Sequence, residues 1–119
     1  MKPATSRRST RLADQIMREV ADMLAFDAAD PRLSLVTVSG VRLNKDLSIA
    51  EVLYTVRGGT EHRGEVQAAL DKARGFLRAS LGKRLKLKFL PELRFTFDAF
   101  LEDIVYARRD PGADPDNQG

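Results

Sequence analysis

The sequence contains no cysteine. A disulfide framework, a thiolate metal site and a cysteine nucleophile are therefore excluded. Histidine is almost absent as well, since His62 is the only one, and it lies in a Gly-rich loop with no partner apparent from the sequence. No apolar run approaches the roughly 20 residues that span a bilayer. The basic N-terminus is not followed by the hydrophobic region of a signal peptide. We therefore expect a cytoplasmic protein with no membrane partner.

Motifs that carry chemistry are equally scarce. The sequence has no Gly-rich phosphate-binding loop and no nucleophile motif. Glu102 and Asp103, near Asp98, form the one acidic cluster that could supply paired carboxylates or a metal site. The exposed face of a terminal helix explains this cluster better. The sequence thus indicates a non-catalytic protein with no cofactor and no metal.

Charge is distributed unevenly along the chain. The 119 residues indicate one domain, and the net charge is only +3. The first acid is Asp14, and four cations precede it: Lys2, Arg7, Arg8 and Arg11. A second basic segment, residues 72–88, has seven cations and no acid, whereas acids predominate from Asp98 onward. Two basic zones indicate a polyanionic partner.

The hydrophobic pattern predicts a small α+β domain. Leu12, Ile16, Val20 and Leu24 recur every four residues, which predicts a helix from Ser9 to about Asp27. Residues 33–43 and 47–57 are typical of a hairpin of two strands, with a phase slip at Ser39-Gly40 that indicates a β-bulge. A helix over 61–81, with Gly82 as its C-cap, and a strand over 93–97 follow. Three strands covered on one face by helices make an α+β fold.

The ends of the chain have a different character from the middle. We expect a flexible basic arm over residues 1–8, a folded domain over 9–108 and a disordered acidic tail over 109–119. A short helix is predicted at the end of the domain, with Phe100 on its apolar side.

Gly75 lies inside the second predicted helix. A glycine there costs roughly 1 kcal/mol relative to alanine. At about 100° per residue, Gly75 falls opposite the apolar face and near Ala68 and Ala79. Gly75 can permit a kink that splits the helix in two, or it can keep a smooth patch where another backbone approaches. The two interpretations are compatible.

Several short motifs occur in a characteristic order. They are Asp30-Pro31-Arg32-Leu33, Val36-Thr37-Val38, Asp46-Leu47-Ser48, Ala73-Arg74-Gly75-Phe76-Leu77-Arg78 and Pro91-Glu92-Leu93. In this order and spacing the sequence resembles the bacterial ribosome-binding factor A family over about residues 8–98. The resemblance implies a type II KH-like fold, α-β-β-α-kink-α-β, with a three-stranded sheet. Its kink would lie at Ala73-Arg74-Gly75, where ordinary KH domains have a GXXG loop.

The resemblance also implies a function. The family is non-catalytic, binds the small (30S) ribosomal subunit and assists late maturation of the 5′ end of 16S rRNA. It is associated with growth in the cold and is released with the help of a ribosome-assembly GTPase. We expect a monomer. After Asp98 the match is loose, so no function is carried over to the last helix.

The candidate RNA-binding residues are mostly the cations of the two basic zones. They are Arg7, Arg8, Arg11, Lys72, Arg74, Gly75, Arg78, Lys83, Arg84, Lys86 and Lys88. Arg74 and Arg78 are four residues apart, so two guanidinium groups can reach neighbouring phosphates. Phe76 and Phe89 are predicted to be core residues, which argues against base stacking.

Other interpretations stay open for several of these residues. The segment 72–88 can be a solvated helix face, and the N-terminal cations either solubilise an arm or order on RNA. Asp30-Pro31-Arg32 is most simply a turn, and Asp46 is expected to cap the hairpin turn. The alternative function is a KH-like RNA-binding or protein-interaction module that is not dedicated to the ribosome.

Overall fold

The structure, a computed structural model, describes residues 3–4, 6–58 and 61–100. Its helices and strands follow in the order α, β, β, α, β. Their bounds are Arg7–Asp22 for α1, Val36–Leu43 for β1, Ile49–Val56 for β2, Arg63–Leu85 for α2 and Glu92–Phe97 for β3. The predicted order of elements and the α+β fold class are confirmed.

Helix α1 begins two residues before the predicted start. The Ser6 hydroxyl accepts a hydrogen bond from the backbone N–H of Ser9 at 3.1 Å and so caps the first turn. Arg7 and Arg8, assigned by sequence to a flexible arm, are therefore helical. After Asp22 the helix continues as one π-helical turn over Met23–Asp27, so the helical path ends where the pattern predicts.

The chain just before α1 is attached to the sheet. The backbone N–H of Ala4 donates to the carbonyl of Leu43 at 2.8 Å, and Pro3 forms an isolated bridge with Asn44. The predicted arm is thus anchored at residues 3–4.

The segment between α1 and the sheet is a 3₁₀ helix, Pro31–Leu35, where sequence placed the start of the first strand. Proline suits the first turn of a helix because its fixed φ is already helical. The Asp30 carboxylate accepts from the backbone N–H of Arg32 at 3.0 Å and caps this turn. Leu33 consequently reaches the core instead of standing on a strand.

The sheet has the order β1-β2-β3. β1 and β2 are antiparallel, with Val38 opposite Tyr54 and Gly40 opposite Leu53. Ser39 is the extra residue between these pairs, which confirms the predicted bulge. β2 and β3 are parallel, and α2 is the crossover that this pairing requires.

The core lies between the helices and one face of the sheet. Alternate residues of β2 are buried there, as predicted: Ala50, Val52, Tyr54 and Val56. Buried side chains of the helices pack on the same side, among them Ile16, Val20, Leu70, Leu77 and Leu81. The opposite face of the sheet carries an ion pair of 2.7 Å between Arg42 and Glu51. The helices therefore cover only one face of the sheet.

Helix α2 is one unbroken helix of 23 residues. Residues 73–75 are helical, so the predicted division into two helices at this point differs from the structure. A kink within the continuous helix stays a prediction. Gly82 was also assigned wrongly, because it lies within α2 and the C-cap is Lys86, whose φ of 51° is left-handed. A Cβ at Gly82 would lie 2.4 Å from Cδ2 of Leu90, so this glycine leaves room for the Leu90 side chain against α2.

The predicted terminal helix and the acidic tail lie almost entirely outside the described residues. Ala99 and Phe100 are helical, and Glu102 and Asp103 fall beyond them. Within the described ranges, no helix is long and apolar enough to cross a bilayer. The same ranges contain no cluster of three or more His, Cys, Asp or Glu residues suited to a metal ion.

Candidate nucleic-acid interface

A strip of small residues runs along the outward side of α2. Ala68, Gly75 and Ala79 are all exposed on it. A Cβ added at Gly75 would meet no other atom within 4 Å. The predicted outward position of Gly75 is confirmed, and packing against a neighbouring element does not explain this glycine.

Cations lie on both sides of the strip. At about 100° per residue, Lys72 and Lys83 lie directly along one flank, whereas Arg74 lies farther round the helix on the other side, beyond Asp71 and Arg78. All three cations are exposed. Within the described residues, none of them makes a hydrogen bond or a close ion pair. These three side chains can therefore reach an external anion. We call Ala68, Gly75 and Ala79 with these three cations the α2 strip.

The flanks of the α2 strip are close to two paired acids. Arg94 donates to Glu92 at 2.7 Å and lowers the pKa of that carboxyl, and the nearby charge of Arg74 lowers it further. On the other flank Asp30 is paired with Arg32 at 2.7 Å. The hydrogen bonds from Arg32 lower the pKa of Asp30 to about 2. Each of these two acids already has an arginine partner, so the negative charge of each is offset before it can neutralise the cations of the α2 strip.

Arg78 has a structural task. Its Nε donates to the carbonyl of Pro91 at 3.1 Å and its Nη2 to the carbonyl of Leu90 at 3.0 Å. Arg78 therefore ties the linker before β3 to α2. If Arg78 also bound a phosphate beside Arg74, its guanidinium would have to contact the phosphate and these two carbonyls at the same time.

Arg84 is held inside an acidic cluster. It pairs with Glu19 at 3.0 Å and Asp22 at 2.8 Å on α1, and with Asp27 of the π-helical turn. These hydrogen bonds raise the pKa of Arg84 above its usual value. The sequence placed Arg84 among the candidate RNA-binding residues, whereas the structure shows it in ion pairs that join α2 to α1 and the π-helical turn.

The remaining candidate cations lie on the first turns of α1 and just beyond the end of α2. Arg7, Arg8 and Arg11 are exposed on the first turns of α1. Lys86 caps α2, and Lys88 follows in the linker. Arg8 and Lys88 line the same cleft, so the structure brings the two basic zones of the sequence together at this point.

Two aromatic residues were assigned to the core wrongly. Phe76 is 53% exposed and Phe89 is 80% exposed. Phe76 lies at the edge of the apolar face of α2, and Phe89 lies in the linker after the helix. The helical periodicity therefore did not require either side chain to be buried. Phe26, also 80% exposed, was missed, although it falls outside the four-residue period of α1. Aromatic surface is therefore available close to the cations.

A cavity of about 520 Å³ opens beside the α2 strip. Its walls are mainly apolar and include Ala69, Ala73 and Phe76 of α2, with Leu33 opposite. Lys72 lines the same cavity. Asp30 is also at its wall, and its pairing with Arg32 supports the simple turn interpretation of the Asp30-Pro31-Arg32 motif.

Taken together, the fold and this surface define a small α+β domain that presents a basic helix face. The model of the family described as ribosome-binding factor A matches residues 8–109. This chain belongs to the ribosome-binding factor A family.

Bacterial relatives support the assignment. A ribosome-binding factor A of Marinomonas is 47% identical over 94 residues, which are 76% of this chain and 73% of the relative. That of Methylobacillus flagellatus is 43% identical over 116 residues, with 92% of this chain and 90% of the relative covered.

Solved structures agree in fold. The crystal structure of ribosome-binding factor A from Thermus thermophilus is 32% identical, with a TM-score of 0.67 over 75% of this chain and 93% of that one. A homology model of the Thermus thermophilus factor, fitted into a cryo-EM map of its complex with 30S, is 34% identical with a TM-score of 0.61. It covers 73% of this chain and 91% of that one.

Proposed function

We propose that this protein is a non-catalytic assembly factor that binds the immature 30S subunit. It contacts 16S rRNA and assists the late maturation of the 5′ end of that RNA. It acts in the cytoplasm as a monomeric KH-like domain. Its activity supports growth at low temperature. A ribosome-assembly GTPase promotes its release.

The observation that carries the proposal is the α2 strip. Small residues let a phosphate backbone come close to the helix, and Lys72, Lys83 and Arg74 can neutralise phosphates on either side. Membership of a family whose relatives are named for ribosome binding supports the ribosome as the source of that RNA. Contacts of this kind position the protein, and specificity comes from the shape of the rRNA.

Binding through phosphates has a measurable signature. Each phosphate contact releases condensed counterions, so the logarithm of the association constant falls linearly with the logarithm of salt concentration. Each contact removed should reduce that slope by roughly 1. We therefore expect Arg74→Glu to weaken binding to 30S subunits and to flatten the salt dependence.

The test is co-sedimentation of the purified protein with 30S subunits across a salt series. Arg18→Glu is the matched control, because Arg18 is exposed on α1 and the substitution makes the same change in charge. Loss of binding in both variants, or in neither, would overturn the assignment of the interface. Mapping of unprocessed 16S ends in a depleted strain tests the role in maturation.

A further inference from the structure

A cleft of about 540 Å³ lies at the end of the molecule where α1 begins. Its walls come from three segments: the first turns of α1 with Arg8 and Leu12, the hairpin turn 46–48, and the linker 87–91. Its volume is within the range of sites that hold small organic groups. We call it the Phe89 cleft.

The aromatic ring in this cleft is open to a ligand. Phe89 is 80% exposed, and Nζ of Lys88 lies 5.6 Å from the centroid of its ring. An ammonium group over an aromatic ring is attracted to its π-electrons. The rest of the ring offers a flat apolar surface, which suits stacking by another flat group.

The charges in the cleft favour an anionic ligand. Arg8 and Lys88 both line it. Asp46 is the acid at its wall, and its carboxylate already accepts from the backbone N–H and the hydroxyl of Ser48 at 3.1 and 2.6 Å. The cleft thus combines a flat aromatic platform with two cations that can bind phosphate.

The linker that carries Phe89 is held in place by the fold. The backbone N–H of Glu92 donates to the carbonyl of Ser48 at 2.8 Å, which joins the linker to the hairpin turn. Arg78 holds the carbonyls of Leu90 and Pro91. The cleft therefore exists before a ligand arrives, and Arg78 acts as a positioning residue for it.

We propose that the Phe89 cleft binds an unstacked nucleotide of single-stranded RNA, with its base on the Phe89 ring and its phosphates on Arg8 and Lys88. This inference rests on the proposed function, because the RNA would be a single-stranded part of the rRNA. Stacking on an aromatic side chain tolerates any base, so the site adds affinity without reading sequence.

The test uses eight-nucleotide single-stranded RNAs, oligo(A) and oligo(U), with an abasic oligomer of the same length as a third probe. Binding of the intact protein is followed by fluorescence anisotropy. We expect Phe89→Leu to weaken binding of both base-containing probes about 5- to 150-fold, which corresponds to the loss of one stacked base. Binding of the abasic probe should be unchanged, and Phe89→Tyr should restore most of the lost affinity.

Phe26→Leu is the matched control, since Phe26 is equally exposed and lies in the π-helical turn that follows α1, roughly 25 Å along the helical path from Arg8. A single 2-aminopurine in the oligomer adds a spectroscopic readout, because stacking on Phe89 changes its fluorescence. Equal binding of the base-containing probes by Phe89→Leu and the unmodified protein would overturn the inference. So would equal losses in Phe26→Leu and Phe89→Leu.

Binding to 30S subunits, measured in parallel, separates this inference from the proposed function. If the unmodified protein binds 30S subunits and Phe89→Leu binds the oligomers normally, the cleft assignment is wrong and the proposed function stands. If the protein does not bind 30S subunits, the proposed function fails and the oligomers still decide the cleft. If Phe89→Leu loses 30S binding but no oligomer binds the unmodified protein, the cleft holds a protein and the RNA assignment is overturned.

Discussion

The two glycines of α2 are expected to respond oppositely to alanine. Gly75 is helical and a Cβ there would meet nothing within 4 Å. Gly75→Ala should therefore stabilise the protein by about 1 kcal/mol, the difference in helix propensity. At Gly82 the same gain is opposed, because the new Cβ would lie 2.4 Å from Cδ2 and 3.0 Å from Cδ1 of Leu90. Overpacking of this kind costs about 1–3 kcal/mol. Gly82→Ala should be neutral or destabilising.

Chemical denaturation followed by circular dichroism measures both free energies of unfolding under identical conditions. We expect the midpoint of thermal unfolding to rise by about 4 °C for Gly75→Ala. The two variants should differ by about 1–3 kcal/mol. The pair is well matched, since both positions lie in one helix and receive the same atom.

A loss of stability in Gly75→Ala would refute the reasoning. It would mean that residue 75 needs a backbone conformation that alanine avoids, as a sharp kink would require. Equal effects at both positions would instead show that Leu90 moves away from Gly82 without cost.

Three further predictions concern the stability of the fold. Leu70 is fully buried, so Leu70→Ala should lower the free energy of unfolding by about 2–5 kcal/mol in urea denaturation, and a loss below 1 kcal/mol would contradict the core described here. The pKa of Asp30 is lowered from 3.8 to about 2 by Arg32, so its contribution to stability is present above pH 4 and is lost as the pH falls toward 2. In Asp30→Asn, the free energy of unfolding should therefore fall less between pH 4 and pH 2. An unchanged pH dependence of unfolding would argue against the Asp30–Arg32 ion pair. Arg84→Gln should lower the unfolding temperature, and the decrease should be smaller at high salt because salt screens the ion pairs between Arg84 and α1. A decrease that is the same at every salt concentration would contradict an electrostatic contribution from these ion pairs.

Local patterns in the sequence predicted most of the fold. The four-residue period in α1 and the alternation in β2 each follow from one buried face, so Ile16 and Val52 could be placed in the core without a structure. The phase slip at Ser39 predicted the bulge for the same reason. The start of β1 was placed too early, because residues 33–35 have strand-like composition but follow a proline that begins a 3₁₀ helix.

The candidate site was harder to predict, because tertiary contacts decide which cations are available. The acids that hold Arg84 are about 60 residues away in the chain, and no local pattern joins them to it. Arg78 likewise bonds to the carbonyls of Leu90 and Pro91, 12 and 13 residues away in the chain, which no local pattern indicates. Sequence alone therefore found the basic zone but not which of its cations are bonded within the described part of the fold.

The central claim, that the α2 strip faces rRNA, can be tested by directed cleavage of 16S rRNA. Because the sequence has no cysteine, a single introduced cysteine carries an iron chelate at one known position. Ala79→Cys places it on the α2 strip, and Thr37→Cys places it on an exposed residue of β1 as the control. In complexes with 30S subunits we predict that hydroxyl radicals cleave 16S rRNA from position 79 at a small set of nucleotides and cleave it weakly from position 37. Strong cleavage from position 37 with none from position 79 would contradict the account.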